Sequence, residues 1–101
     1  MFRSAMASDA LWPGEMAGCV VGGESVLLAN VDGTIVAFRD RCAHLGAPLS
    51  AGRFADGRIR CAAHHWEYDA RTGCGINPAT AALHQYPVTI REGLILVDVG
   101  S

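Results

Sequence analysis

Two short pairs of residues offer metal-binding chemistry. Cys42-Ala43-His44 is followed by Leu45-Gly46-Ala47-Pro48-Leu49, and Cys61-Ala62-Ala63-His64 is followed by His65-Trp66-Glu67-Tyr68-Asp69. Each pair supplies one soft thiolate and one imidazole, ligands that suit zinc or an iron–sulfur cluster and not a hard oxygen-loving cation. Sixteen residues, Leu45 to Arg60, separate His44 from Cys61. That is room for a hairpin that brings the second pair beside the first on a separate loop.

The elements that must position these loops read as β structure. Ser8 to Gly14 is expected to form one helical turn, capped by Ser8 and stopped by Pro13-Gly14, with Leu11 and Trp12 as core-facing anchors. Met16–Val21, Ser25–Val31 and Thr34–Phe38 are β-rich runs separated by Gly22-Gly23 and Asp32-Gly33, which predicts a meander. Gly52-Arg53-Phe54 and Arg58-Ile59-Arg60 are expected to form a small hairpin around Asp56-Gly57 and deliver the chain to the second loop. Trp66 to Asp69 is the strand leaving it, and Arg71 to Pro78 is a long turn-rich segment. His84–Arg91 and Leu94–Val99 pair across Glu92-Gly93 as a closing hairpin. The fold class is all-β: a small antiparallel barrel or sandwich, one domain over residues 1–101, carrying an inserted lobe over about residues 41–78.

Composition narrows the function classes. A chain of 101 residues buries only around 60–65% of its unfolded surface, so a metal site that requires the folded state would add stability. The formal charge of −2 gives no strong pull toward nucleic acid. All basic residues are Arg and none is Lys, which is read as compositional bias. No run approaches the roughly 18 apolar residues of a membrane helix, and Met1 to Asp9 lacks the apolar stretch of a secretory leader. The expected compartment is the cytoplasm, where thiols stay reduced and four cysteines point to a metal site before disulfides.

C-x-H-x-G-x-x-L followed by C-x-x-H is the motif of Rieske-type [2Fe–2S] proteins, which the chain resembles. The longer run His65-Trp66-Glu67-Tyr68-Asp69, then Thr72-Gly73-Cys74-Gly75-Ile76-Asn77-Pro78, is similar to the ferredoxin component of bacterial multicomponent aromatic monooxygenases of the toluene type. The resemblance implies a [2Fe–2S] cluster held by Cys42 and Cys61 on one iron and by His44 and His64 on the other. It implies a one-electron carrier and not an enzyme. Its partners would be a flavin-containing NADH oxidoreductase and a diiron oxygenase hydroxylase, with no nucleic acid and no membrane. It also implies that Gly46 lets backbone approach the cluster and that Pro48 and Leu49 stiffen and shield the first loop. Pro78 would pack over the cluster from a third loop. In high-potential respiratory relatives an extra cysteine in each loop ties the loops together; Ala47 and Ala63 stand there in this chain. Trp66 stands at a Ser position beside the cluster sulfurs, while Tyr68 keeps the Tyr. Fewer hydrogen bonds to sulfur place the expected potential near the low end of the Rieske range of about −150 to +300 mV.

Several alternatives stay open at this stage. A C-x-x-x-H spacing would select His65 in place of His64, although His65, where the family usually has Gly, reads more simply as an exposed neighbour. A structural zinc site takes two Cys and two His, though zinc fingers pair like ligands; that reading makes the chain a zinc-stabilised interaction module. The ferredoxin of a ring-hydroxylating dioxygenase is the near competitor, and the small subunit of an assimilatory nitrite reductase a more distant one. Cys19 reads as a small buried hydrophobe, Cys74 as an unpaired thiol, His84 as a surface histidine, and Glu67 and Asp69 as a solvated face. Trp66 divides evenly between core and contact face.

Overall fold

The computed structural model describes residues 1–42, 46–62 and 65–100. Among these residues there is no α-helix, only two short 3₁₀ turns, Ser8–Ala10 and Leu49–Ala51. The architecture is all-β, as expected, in three antiparallel sheets.

The central sheet contains β2 (Met16–Val21), β3 (Glu24–Val31), β4 (Thr34–Arg39) and β9 (Gln85–Tyr86), in the order β2-β3-β4-β9. Its hairpins match the sequence reading. Asp32 and Gly33 both take positive φ, 53° and 96°, the primed turn whose twist matches that of the strands. Asp56-Gly57 and Glu92-Gly93 repeat the pattern.

Strand β3 has no apolar–polar alternation because both of its faces are covered. Leu27, Ala29 and Val31 enter one buried cluster with Val36, Phe38, Cys42, Leu49, Ile59, Cys61 and Tyr68. Val26 and Leu28 enter another with Leu11, Val21, Ala37, Ile95 and Val97. The second cluster is roofed by a sheet ordered β1-β11-β10, made of β1 (Phe2–Ala7), β10 (Val88–Arg91) and β11 (Leu94–Asp98). The first cluster is roofed by the lobe sheet, β5 (Arg53–Ala55), β6 (Arg58–Arg60), β7 (Glu67–Asp69) and β8 (Gly75–Asn77) in sequence order. The lobe sheet falls between β4 and β9, which pair directly through Ala37↔Tyr86 and Phe38↔Gln85. It is therefore an insertion across a closed base.

Five expectations need correction. Strand β1 lies where no strand was expected; its partner β11 is almost the whole chain away, so nothing local marks it. Strand β8 lies inside the supposed turn-rich segment, pairing with β7 through Glu67↔Asn77. The run His84–Arg91 is two strands broken at Pro87, which has no N–H for a ladder: β9 pairs with the central sheet and β10 with the sheet beyond it. Trp12 is 69% exposed whereas Leu11 is buried. Leu11 is extended (φ −125°, ψ 101°), so adjacent side chains diverge. The Trp12 indole instead donates back to the Asp9 carbonyl at 3.1 Å. Ser8 also does not cap the turn: Ala7 precedes it, without a side-chain cap.

Leu11 is fixed from outside the turn. The buried Asn30 amide donates to the Leu11 carbonyl at 2.9 Å, and its Oδ1 accepts from Gly33 N at 2.8 Å. Leu11→Ala is expected to cost about 2–5 kcal/mol and Trp12→Ala less than about 1 kcal/mol. Urea unfolding of the two variants checks this, and equal costs would contradict the placement of these side chains.

Candidate metal centre

The two cysteine-bearing loops lie at one end of the cluster shared by the central and lobe sheets. The first leaves β4 at Arg39 and ends in the Leu49–Ala51 turn. Its base is closed by Asp40, whose carboxylate accepts from Ser50 N at 2.8 Å and Ser50 Oγ at 2.6 Å. Leu49 beside it is fully buried, and Pro48 is exposed at the start of the turn. The second loop connects β6 to β7.

The loops share one backbone frame. Cys42 N donates to Ala47 O at 2.8 Å, and Cys61 N donates to Trp66 O at 2.7 Å, each reaching five residues ahead. In each loop the fourth residue after the cysteine is left-handed: Gly46 at φ 75° and His65 at φ 55°. Gly46 N also donates to Cys42 O at 3.0 Å. The residue that departs from the family's Gly thus occupies a position where L side chains are disfavoured, and histidine is among those that tolerate it best. His65 is exposed.

Approach of the loops to one another depends on Gly52. A Cβ there would collide with the backbone carbonyl oxygen of Arg60, so the chain leaving the first loop lies directly against the strand entering the second.

Cys42 and Cys61 are both buried, at 3% and 0% exposure, in the same cluster. The Tyr68 hydroxyl lies 3.3 Å from Cys42 Sγ, so the tyrosine singled out by the motif does face a cysteine sulfur. When that sulfur is a thiolate it has no proton, and the hydroxyl is the donor. Trp66 is half-buried against the same cluster. His44 and His64 lie outside the described residues, as does Ala63, and among the described residues no group of three or more His, Cys, Asp or Glu comes together. The donor chemistry that is described fits an iron–sulfur cluster: two sulfurs in a water-poor pocket, a hydroxyl aimed at one of them, and glycine where backbone must come close.

The other cysteines lie apart and form no disulfide. Cys19 is half-buried on β2, not fully buried as expected; burial pushes its thiol pKa up and the Asp40 carboxylate adds to this, which keeps it protonated and unreactive. Cys74 is exposed, its N–H taken by Thr72 Oγ1 at 3.2 Å. His84 is a surface residue stacked edge-on against Tyr86, ring centroids 4.9 Å apart. Glu67 is not solvated as expected: its side chain is 19% exposed and lies 3.9 and 3.7 Å from the Arg58 and Arg60 guanidiniums. Pro78 is half-buried after a cis Asn77-Pro78 bond.

Comparison with known proteins identifies the group to which this geometry belongs. Residues 2–87 match the Rieske [2Fe-2S] domain family. The chain is a member of that family. Its cofactor is accordingly the Rieske-type [2Fe–2S] cluster. It is 37% identical over 92 residues to the ferredoxin component of the alkene monooxygenase system of Xanthobacter autotrophicus, covering 90% of this chain and 75% of that protein. The ferredoxin of carbazole 1,9a-dioxygenase from Nocardioides aromaticivorans superposes with a TM-score of 0.87 at 27% identity, covering 96% of both chains. A ferredoxin solved in complex with the oxygenase of carbazole 1,9a-dioxygenase superposes at 0.85 with 27% identity, covering 95% of this chain and 91% of that one. The chain also matches larger oxygenases, of which it spans 16–24%. The Rieske expectation is therefore borne out. Among the described residues no helix is long and apolar enough to cross a membrane.

The shared loop frame predicts opposite outcomes for two similar substitutions. Gly46→Ala puts a Cβ in the left-handed region, 2.7 Å from Arg41 Nε, and should cost about 1–2 kcal/mol. His65→Gly should be neutral or gain up to about 1 kcal/mol. Thermal unfolding followed by cluster absorbance tests both; a destabilising His65→Gly would contradict the left-handed assignment.

Proposed function

We propose that this chain is a soluble, cytoplasmic one-electron carrier, a single domain over residues 1–101 with Cys42, His44, Cys61 and His64 as cluster ligands. It takes electrons from an NAD(P)H-dependent flavin reductase and passes them to an oxygenase, most specifically a diiron aromatic monooxygenase hydroxylase. The observation that carries this reading is the burial of Cys42 and Cys61 in one apolar cluster, on two loops built on the same backbone frame. When bound, a [2Fe–2S] cluster supplies reversible one-electron chemistry with no bond made or broken in substrate.

The chain's own residues then have distinct tasks. Cys42 and Cys61 hold their sulfurs out of water beneath Leu49, Ile59 and Phe38. Tyr68 donates toward Cys42 Sγ, which favours the reduced state, whereas Trp66 brings no hydroxyl to the position it fills; that missing donor is what keeps the potential near the low end of the Rieske range. Asp40 and Ser50 keep the first loop closed. His64 is favoured over His65 as ligand because His65 occupies the turn position equivalent to Gly46 and its side chain is exposed.

The monooxygenase assignment rests on the 37% identity to an alkene monooxygenase ferredoxin. The second reading, a dioxygenase ferredoxin, is supported by the likeness to the carbazole dioxygenase ferredoxin. Reconstituting the purified protein with candidate reductases and with a diiron hydroxylase or a Rieske dioxygenase separates them. NADH-driven product formation with the hydroxylase is the expected result, and turnover only with the dioxygenase would select the second reading. For the ligands, His64→Ala should abolish the low-average-g EPR signal of the reduced protein and His65→Ala should retain it. The reverse pattern would move the ligand to His65.

A further inference from the structure

The charges of this chain are unevenly placed. Its formal net charge is −2, yet residues 41–66, which contain both ligand loops, hold four of its eight arginines, Arg41, Arg53, Arg58 and Arg60, and a single acid, Asp56. The other nine of its ten acids lie outside that stretch. All four arginines are exposed.

The fold gathers these cations at the cluster end. Arg53 and Arg60 are direct cross-strand partners on β5 and β6, and Arg58 lies two residues from Arg60 on the same outer face; the alternate residues Phe54 and Ile59 turn into the core. The Arg41 side chain lies over Gly46 in the first loop. A depression of about 430 Å³ is lined by Arg53, Arg60, Gly52, Cys61, Ala62 and His65, with no carboxylate among the described residues that line it. A neighbouring groove adds Arg58, with Asp56 and Glu67. Glu67 approaches Arg58 and Arg60 no closer than 3.9 and 3.7 Å, outside direct hydrogen-bond length, so both guanidiniums keep donors for an external acceptor. Asp69 shares the outer face opposite Arg58, and its Oδ1 accepts from Arg71 N at 2.8 Å.

We infer that this arginine-lined depression beside the second ligand loop is the docking surface for a carboxylate-rich face of the protein that accepts the electron. The inference rests on the electron-carrier reading above. Exposed guanidiniums are suited to bidentate capture of carboxylates. A local field of one sign steers encounter even when net charge has the opposite sign. Cys61 is among the residues that line the depression, so a partner seated there lies beside the second ligand loop.

Small redox probes test the local field without the natural partner. The dithionite-reduced holoprotein is mixed in a stopped-flow instrument with ferricyanide, a trianion, or with tris(phenanthroline)cobalt(III), a trication. One electron passes from the protein to the metal complex, giving ferrocyanide or the cobalt(II) complex. With ferricyanide the rate should fall as ionic strength rises, and with the cobalt complex it should rise or stay flat. The opposite pair of slopes is what the net charge alone would impose, and it would overturn the inference. The double variant Arg53→Gln/Arg60→Gln should slow ferricyanide oxidation about fivefold at low salt. Arg3→Gln/Arg91→Gln makes the same change in net charge on the sheet beyond the central one and should stay within about twofold. Equal effects of the two double variants would also overturn the inference. Arg58→Gln, expected to act in the same sense as the first double variant, serves if that one loses its cluster. A wild-type preparation lacking iron and sulfide would defeat the electron-carrier reading itself, an outcome distinct from a wrong salt slope.

Discussion

The arrangement depends on the cost of burying two cysteine sulfurs together. Cys42 and Cys61 sit at 3% and 0% exposure among Leu49, Ile59, Phe38 and Tyr68. A thiolate in such surroundings loses its hydration, and the penalty is several kcal/mol unless positive charge compensates it. With these cysteines as cluster ligands, as proposed, iron would supply that charge. The rest of the structure can be read as the framework that makes the burial possible: a double-faced central sheet below, a four-stranded lobe sheet above, and two loops of one design at the edge between them.

That framework is economical because the two loops reuse one solution. Each cysteine amide spans five residues to a carbonyl, and each loop reverses through a left-handed residue one position before it. The first loop meets the reversal with Gly46, the second with His65. The two loops are tied by these backbone bonds, and the first also by the Asp40–Ser50 pair. The arginines of β5 and β6 are on the outer face, while the intervening residues complete the core.

Much of this was legible in the sequence, for reasons that are physical. The hairpins at Asp32-Gly33, Asp56-Gly57 and Glu92-Gly93 were visible because primed turns demand positive φ and few residues accept it. The metal-site candidates were visible because Cys and His at C-x-H and C-x-x-H spacing have few other uses. What escaped depended on distant partners. Strand β1 exists because β11 pairs with it, and β8 because β7 does. Trp12 looked like a core residue by type, yet the extended backbone at Leu11 sends the two side chains in different directions. The equivalence of Gly46 and His65 could not be read from spacing, since the histidines sit two residues after one cysteine and three after the other.

The direct test of the central claim is the metal and sulfide content of the purified protein, measured on one sample by iron, zinc and acid-labile sulfide analysis. Two iron atoms and two sulfides per chain, with no stoichiometric zinc, is the result predicted by the proposed [2Fe–2S] cluster on Cys42, His44, Cys61 and His64. A colourless protein with one zinc and no sulfide would contradict it.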